Sequence, residues 1–244
     1  MPRIRYSLNP GIAPTTPDTA EVLYAEAGSV DLKTVRLLPP CAPTKIVCVG
    51  RNYPEHAREL GNEVPDEPMI FLKPPSSLIA HGDPILYPAL SQRVDYEGEL
   101  GVIIGKRARQ VPASSAMDHV LGYTCVNDIT ARDLQRKDGQ WTRGKGFDTF
   151  CAVGPCMVPK EALPLDGLRV VTRLDGEVKQ DGWAGDMLFP IDVVIAYVSA
   201  FMTLEPGDLI ATGTPPGVGP MLPGSVVRVE IEGIGLLENP IVRG

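Results

Sequence analysis

The sequence predicts one main domain that is mainly β, folded as a β-sandwich or roll with a few helices and a small N-terminal lobe. Short runs of β-branched and apolar residues recur along the chain, separated by turn signals such as Asp175-Gly176 and Pro206-Gly207. The 244 residues include 25 prolines and 25 glycines, which favours turns and short strands over long helices. Regular alternation of strands and helices is missing, which argues against a Rossmann or TIM arrangement.

The N-terminal lobe is predicted to cover residues 1–42, because prolines interrupt this part and only two short strands are indicated, near 3–6 and 22–25. The main domain is predicted to cover residues 43–244. Apolar runs bounded by turn residues indicate its strands. These predicted strands are 45–50, 69–72, 84–87, 98–105, 121–128, 168–174, 208–213 and 225–233.

Three helices are predicted. The segment 54–60 opens with Pro54, a residue suited to the first helical position, and 129–137 directly follows a predicted strand. In 191–204, Asp192 is expected to cap the helix. Apolar residues dominate most of the circumference there, so we expect this helix to be well buried.

Composition and charge narrow the class of partner. A net charge of −7 without a cluster of basic residues argues against nucleic acid or an anionic membrane and favours a small-molecule substrate. No apolar run approaches the ~18 residues of a membrane span, and the first residues lack the apolar core of a signal peptide, so a cytoplasmic location is expected. Five cysteines without a C-x-x-C pair predict buried, reduced thiols and no zinc site, so any metal would be held by oxygen.

Two carboxylates share a strand face in the stretch 94-VDYEGELGVIIG-105, because Glu97 and Glu99 are two residues apart. In a partly buried cleft, like charges ~6 Å apart repel by roughly 3 kcal/mol, so one must protonate or a cation must lie between them. An exposed strand face would avoid this cost. Asp128 ends another apolar strand and adds a third oxygen ligand of the kind that Mg²⁺ or Mn²⁺ prefers. The alternative for Asp128 is a cap on the helix that follows.

A candidate general base lies in 54-PEHAREL-60, where His56 and Glu59 are three residues apart and share a helix face. The alternative is an ion pair on a solvated helix. Lys73 and Lys145 follow or lie within apolar and glycine-rich surroundings, where a lysine near a metal could bind a carboxylate or stabilise an oxyanion. The alternative for each is a solvated surface lysine. The stretch 212-TGTPPGVG-219 lacks the spacing of a phosphate loop and is interpreted as a tight turn.

Six stretches, in this order, resemble the fumarylacetoacetate hydrolase family, and in particular its short single-domain members that act as acylpyruvate hydrolases and oxaloacetate decarboxylases. They are 49-VGRNYPEHARE-59, 70-IFLKPPSSLI-79, 95-DYEGELGVIIGKRAR-109, 122-GYTCVNDITARDLQ-135, 144-GKGFDTFCAVGP-155 and 209-LIATGTPPGVGP-220. The resemblance implies the mixed β-sandwich roll of the family's C-terminal domain and a homodimer. The segment 48–52 lacks the further acidic ligand of the larger fumarylacetoacetases, which indicates the short branch.

The resemblance also implies roles for individual residues. The metal ligands would be Glu97, Glu99 and Asp128, holding Mg²⁺ or Mn²⁺, with Ca²⁺ able to replace them in crystals. His56, Glu59 and Lys145 would be catalytic, the first two in a segment that behaves as a lid in relatives. The positions implied to contact substrate are Arg51, Lys73, Arg132, Gln135 and Thr214.

The function expected from these features is a Mg²⁺- or Mn²⁺-dependent enzyme acting on 2-oxo acids or 1,3-dicarbonyl compounds. It would hydrolyse or break a carbon–carbon bond through a stabilised enolate, as acylpyruvate hydrolases and oxaloacetate decarboxylases do. A second candidate is an isomerase, decarboxylase or tautomerase of aromatic meta-cleavage products, of the 2-hydroxyhepta-2,4-diene-1,7-dioate isomerase type. A cation-stabilised binding protein without catalysis is a third. A glycosidase using the two glutamates is a fourth, although 6% aromatic residues leave little for sugar stacking.

Overall fold

The computed structural model describes residues 3–7, 23–26, 35–165 and 167–244. Most of its regular structure is β. The strands are β1 (Arg3–Ser7), β2 (Leu23–Glu26), β3 (Arg36–Leu38), β4 (Ile46–Gly50), β5 (Met69–Lys73), β6 (Leu78–Ile79), β7 (Ile85–Tyr87), β8 (Val94–Tyr96), β9 (Gly98–Ile104), β10 (Val120–Asp128), β11 (Thr130–Ala131), β12 (Cys151–Pro159), β13 (Arg169–Leu174), β14 (Glu177–Trp183), β15 (Leu209–Ala211), β16 (Gly219–Met221), β17 (Val226–Ile231) and β18 (Gly235–Arg243). The helices are α1 (Pro54–Glu59), α2 (Ala113–Ala116), α3 (Arg132–Asp138), α4 (Thr142–Lys145) and α5 (Ile191–Phe201).

The strands form three sheets. The largest has the order β2-β1-β12-β10-β9-β15-β4-β5, with β3 added beside β1 and β6 beside β12. A five-stranded sheet has the order β14-β13-β17-β18-β7, and β11, β8 and β16 form a small third sheet. Most pairs are antiparallel, whereas β15 with β4, β12 with β6 and β18 with β7 are parallel. The predicted mainly β, mixed-sheet class is therefore confirmed.

Two cores lie on opposite faces of the largest sheet. The five-stranded sheet packs on β9, β10 and β12, and the apolar side chains between the two sheets form the main core. In β9, Val102 belongs to this core, whereas its neighbour Ile103 belongs to a smaller core on the other face. Because side chains alternate along a strand, Glu99 lies on the same face as Ile103. The smaller core therefore leads directly to the candidate carboxylates.

All ten predicted strands are present, within a few residues at their ends. The prediction missed β3, β6, β8, β11, β12, β14, β16 and β18. One of the two longest omissions, β12, contains Pro155 although it pairs on both sides, with β1 and β10. Its register with β10 shifts between Tyr123 and Cys125, and Pro155 lies opposite this irregularity, which is where a sheet tolerates proline.

The helix predictions were less accurate than the strand predictions. Helix α1 begins at Pro54 as predicted, but α3 begins only at Arg132, because Thr130 and Ala131 pair with β8 as a short strand. The capping role of Asp192 was wrong, since Pro190 precedes α5 and no side chain caps it. The expectation that α5 is well buried holds for one of its faces only.

Helix α5 buries one face only. Val194 and Val198 are buried, whereas Val193 on the opposite side is 36% exposed, and Phe201 at the C-terminal end of the helix is 56% exposed. The reason is its position at the surface beside α2. In the N-terminal part, β1 extends the largest sheet by pairing with β12. The domain boundary at residue 42 stays a prediction. Among the described helices, the structure has no segment long and apolar enough to cross a membrane.

Candidate metal and substrate site

Three buried carboxylates converge where β9 begins and β10 ends. Glu97 lies just before β9, Glu99 within it and Asp128 at the end of β10. The Asp128 N–H donates to the Glu97 carbonyl over 2.8 Å, so these two are neighbours across the strands, and Glu99 lies two residues further on the same face. One oxygen from each carboxylate lies within 4.8 Å of the other two. The predicted convergence is therefore present.

The two alternative interpretations are wrong, namely a solvated strand face for Glu97 and Glu99 and a helix cap for Asp128. Glu97 and Glu99 are only 4% and 2% exposed, so they do not lie on a solvated face. Asp128 does not cap a helix, because Ala131 occupies the position before α3. Charges 4.8 Å apart repel by about 3.5 kcal/mol at an effective dielectric near 20, so the cluster requires nearby cations.

Three cationic side chains surround Glu97 and Asp128. Lys73 Nζ lies 2.5 Å from Asp128 Oδ1, and Lys145 Nζ lies 2.6 Å from Asp128 Oδ2 and 2.8 Å from Glu97 Oε2. Arg132 pairs with Glu97 through Nη2. Both lysines are buried, so neither is a solvated surface lysine.

The electrostatic setting keeps Lys145 charged. Burial lowers the pKa of Lys145, but the carboxylates of Asp128 and Glu97 outweigh this and hold the pKa above its usual range. Burial raises the pKa of Glu97, but Lys145 and Arg132 more than offset it and hold the pKa low. Lys145 is therefore a fixed positive charge at neutral pH and a poor proton donor.

Glu99 differs from its two neighbours because no cationic side chain of the described residues pairs with it. Its Oε2 accepts a hydrogen bond from the Gly213 N–H over 2.7 Å. Burial raises the pKa of Glu99 well above its usual range, and the charges of Asp128 and Glu97 raise it further. A divalent cation would relieve this repulsion. The oxygen-only donor set fits Mg²⁺ or Mn²⁺, which would be held by Glu97, Glu99 and Asp128.

His56 and Glu59 are brought together on α1, as their spacing predicts. His56 is buried, and its Nδ1 lies 3.4 Å from Glu59 Oε2, although without the alignment of a hydrogen bond. The Glu59 carboxylate instead accepts the Gly217 N–H, at 3.1 Å from each oxygen. Burial lowers the pKa of His56, although the charge of Glu97 raises it in part. The imidazole is therefore neutral at pH 7, as a base must be.

A cavity of about 310 Å³ opens over the carboxylates. Every predicted site residue except Glu59 and Lys73 lines it. Those lining it are Arg51, His56, Glu97, Glu99, Asp128, Arg132, Gln135, Lys145 and Thr214. Lys73 lies beneath, where its Nζ also donates to the Ile129 carbonyl over 3.0 Å.

Several of the polar groups predicted to contact substrate already have partners within the protein. Arg132 donates to Asp95 over 2.9 Å and to Gln135 over 2.8 Å, in addition to Glu97. The Thr214 hydroxyl donates to the Gly98 carbonyl over 2.8 Å and accepts from Gln180 over 2.7 Å. Their roles toward a substrate stay predictions.

Sequence reasoning missed three contributors to the site. Asp95 is fully buried and holds Arg132, and the two-residue spacing that singled out Glu97 and Glu99 also includes it. Trp141 lines the cavity and packs edge-on against Phe71, with ring centroids 5.1 Å apart. Gln180 bridges Gly98 and Thr214, and no local pattern in the sequence marks it.

The five cysteines are free and buried, which confirms the predicted reduced thiols. Cys48 and Cys151 belong to the smaller core beneath the carboxylates. Burial raises the pKa of the Cys48 thiol well above its usual range, and the charge of Asp128 adds to this. Burial likewise raises the pKa of the Cys151 thiol, and neither residue lines the cavity, so neither is a candidate nucleophile for this site.

Comparison with known proteins gives consistent matches. The family model "Fumarylacetoacetate (FAA) hydrolase C-terminal" matches residues 45–242. A mitochondrial oxaloacetate decarboxylase of Dictyostelium discoideum is 47% identical, over 78% of this chain and 89% of that protein. A mitochondrial oxaloacetate tautomerase of Xenopus laevis is 44% identical, over 84% and 68%. Among solved structures, a fumarylpyruvate hydrolase of Pseudomonas aeruginosa in complex with Mn²⁺ and pyruvate is 34% identical, with a TM-score of 0.78 over 86% of this chain and 92% of that one.

Proposed function

Because this chain belongs to the fumarylacetoacetate hydrolase family, we propose that it is a divalent-metal-dependent enzyme acting on a small 2-oxo dicarboxylic acid, with oxaloacetate as the first substrate to test. The reaction would be enolisation, with decarboxylation as its extension. The relatives named for oxaloacetate chemistry support the substrate, and the relative solved with Mn²⁺ and pyruvate supports the metal and the 2-oxo acid group.

The observation that carries the proposal is the charge of the buried cluster. Three carboxylates, Glu97, Glu99 and Asp128, face three cationic side chains, Lys73, Lys145 and Arg132. Asp95, which also touches Arg132, is matched by Arg93 at 2.9 Å. With all three carboxylates ionised, a bound divalent cation would leave a surplus of two positive charges. A doubly charged anion such as oxaloacetate would balance that surplus.

The protein's own groups then have distinct tasks. A divalent cation held by the three carboxylates would act as a Lewis acid and stabilise negative charge on the enolate oxygen. Lys145 holds Glu97 and Asp128 in place through its two short contacts and adds fixed positive charge beside the cavity. His56, neutral at pH 7, accepts a proton from C3 of the substrate in enolisation. In decarboxylation the C3–C4 electron pair stays with the three-carbon product as CO₂ leaves, and C3 takes up a proton.

Hydrolysis of acylpyruvates is a second candidate, favoured by the His56 and Glu59 pair. Glu59 lies 3.4 Å from His56 Nδ1 and would stabilise the imidazolium that forms when the ring takes a proton from water. Water attacks the distal carbonyl and the C3–C4 bond breaks, so the group that leaves is again the enolate of pyruvate. Both reactions use the same cluster and differ in whether water attacks.

The test is an assay of the purified protein with Mg²⁺ or Mn²⁺ against oxaloacetate, acetylpyruvate and fumarylpyruvate. We expect turnover of oxaloacetate that chelator removes and added metal restores. Glu99→Gln should abolish both turnover and the stabilisation of the protein by Mg²⁺, which for wild type is about 2.7 kcal/mol at 100 times Kd. Full activity in excess chelator, or turnover of none of the three compounds, would contradict the proposal. We also propose that the protein is a homodimer, as the resemblance implies. Light scattering on the protein as it elutes from a size-exclusion column measures its molar mass.

A further inference from the structure

One face of α3 lines the cavity. The lining residues of this segment are Arg132, Gln135, Arg136 and Gly139, which follow the i, i+3, i+4, i+7 spacing of a single helix face. Lys137 belongs to the same helix but does not line the cavity. The helix therefore presents two arginines, one turn apart, to the same space.

These two arginines have different surroundings. Arg132 is 3% exposed, and its guanidinium is occupied by Asp95, Glu97 and Gln135. Arg136 is exposed and makes no ion pair or hydrogen bond with any described residue. Its five N–H donors are thus available to a ligand in the cavity.

We propose that Arg136 binds the distal carboxylate of the substrate and so sets a preference for 2-oxo acids with a second negative charge. This inference rests on the proposed function and assigns a residue that the family resemblance leaves without a role. The buried carboxylates, including Asp128 at 1% exposure, lie at the inner end of the cavity, whereas Arg136 lies at its exposed rim. A 2-oxo acid with its head group at the cluster therefore directs its far end toward Arg136.

The expected size of the effect follows from exposure. A hydrogen bond between a guanidinium and a carboxylate is among the stronger kinds, but solvent and salt screen it at an exposed rim. We expect about a tenfold contribution to the binding of a dianion and no contribution to the binding of a monoanion. The preference should also weaken as ionic strength rises.

Two non-reacting ligands isolate this contribution. 2-Oxoglutarate and 2-oxovalerate have the same 2-oxo acid head and five carbons, and differ in the terminal carboxylate. Their binding is measured by calorimetry in the presence of Mg²⁺ for wild type, Arg136→Gln and Lys137→Gln. Lys137→Gln is a matched control, since it removes the same charge from the neighbouring position off the cavity face.

Wild type and Lys137→Gln should bind 2-oxoglutarate about tenfold more tightly than 2-oxovalerate, and Arg136→Gln should bind the two about equally. A preference that survives in Arg136→Gln, or that Lys137→Gln loses equally, would overturn the assignment of Arg136. A wild-type protein that binds both ligands without preference would also overturn it. If neither ligand binds, or binding does not depend on Mg²⁺, the proposed function itself fails.

Discussion

Replacing Lys73 by Met tests whether this lysine holds the carboxylate cluster together. Methionine keeps much of the length and apolar bulk of lysine but removes the charge. Lys73 lies beneath the cavity, with its side chain fully buried and Nζ 2.5 Å from Asp128 Oδ1. The family resemblance implies a substrate contact for this position. The structure supports a different expectation, namely a large loss of stability.

The magnitude follows from burial. Removing one partner of a buried ion pair typically costs about 3 to 5 kcal/mol, because the other charge stays in a poorly solvated place. Asp128 keeps Lys145 at 2.6 Å, which favours the lower end of that range. For a chain of this length, a loss of about 3 kcal/mol lowers Tm by about 6 to 12 °C. Mg²⁺ should recover part of the loss, because a cation at Asp128 replaces the missing charge.

The assay is urea unfolding of wild type and Lys73→Met, with and without Mg²⁺. Lys106→Met is the control, because Lys106 is exposed and its replacement should change the free energy of unfolding by less than about 0.5 kcal/mol. If Lys73→Met is as stable as this control and instead raises KM for oxaloacetate, Lys73 contacts substrate and the reasoning is refuted.

Three further predictions concern other parts of the site and core. Because burial lowers the pKa of His56, hydrolysis of acylpyruvates should decline only as pH falls below about 6.5. His56→Gln should lose most of the activity, and the pH–rate profile of the remaining activity should lack that acid limb. Gly213→Ala should destabilise the protein by roughly 1 to 3 kcal/mol in urea unfolding, since φ is +103° there and the added Cβ would lie 2.7 Å from Asn52 Cβ; wild-type stability would contradict this. Burial raises the pKa of Cys156 to about 11 and of Cys41 to about 12. A chromogenic disulfide reagent at pH 8 should therefore label no thiol until the protein unfolds. Rapid labelling of the native protein would argue against the burial of these thiols.

The carboxylate cluster shows what a local pattern can predict. The two-residue spacing of Glu97 and Glu99 places both on one face in any strand, so their shared face follows from strand geometry. The approach of Asp128 depends in addition on the pairing of β9 with β10. The spacing of His56 and Glu59 likewise fixes their contact on a helix. Strands with long apolar runs were likewise predicted from a local pattern.

Other parts depend on distant neighbours. Strand β11 has only two residues and exists because Thr130 and Ala131 pair with Asp95 and Val94, far away in the sequence. The cationic partners of the cluster are set by sheet order rather than by local pattern, so no feature of the sequence indicates that Lys73 lies beneath Asp128. Helix α5 was predicted to be well buried because apolar residues surround most of it, but burial depends on what packs against each side.

The position of β15 determines when the largest sheet can be completed during synthesis of the chain. This strand, residues 209–211, lies between β4 (residues 46–50) and β9 (residues 98–104), both of which are made much earlier in the chain. The gap between those two strands stays open in a nascent chain until β15 emerges, and Gly213, the hydrogen-bond donor to Glu99, follows just behind it. A partly synthesised protein without β15 therefore lacks this donor to Glu99, and a divalent cation held by the three carboxylates would bind only after β15 has been made.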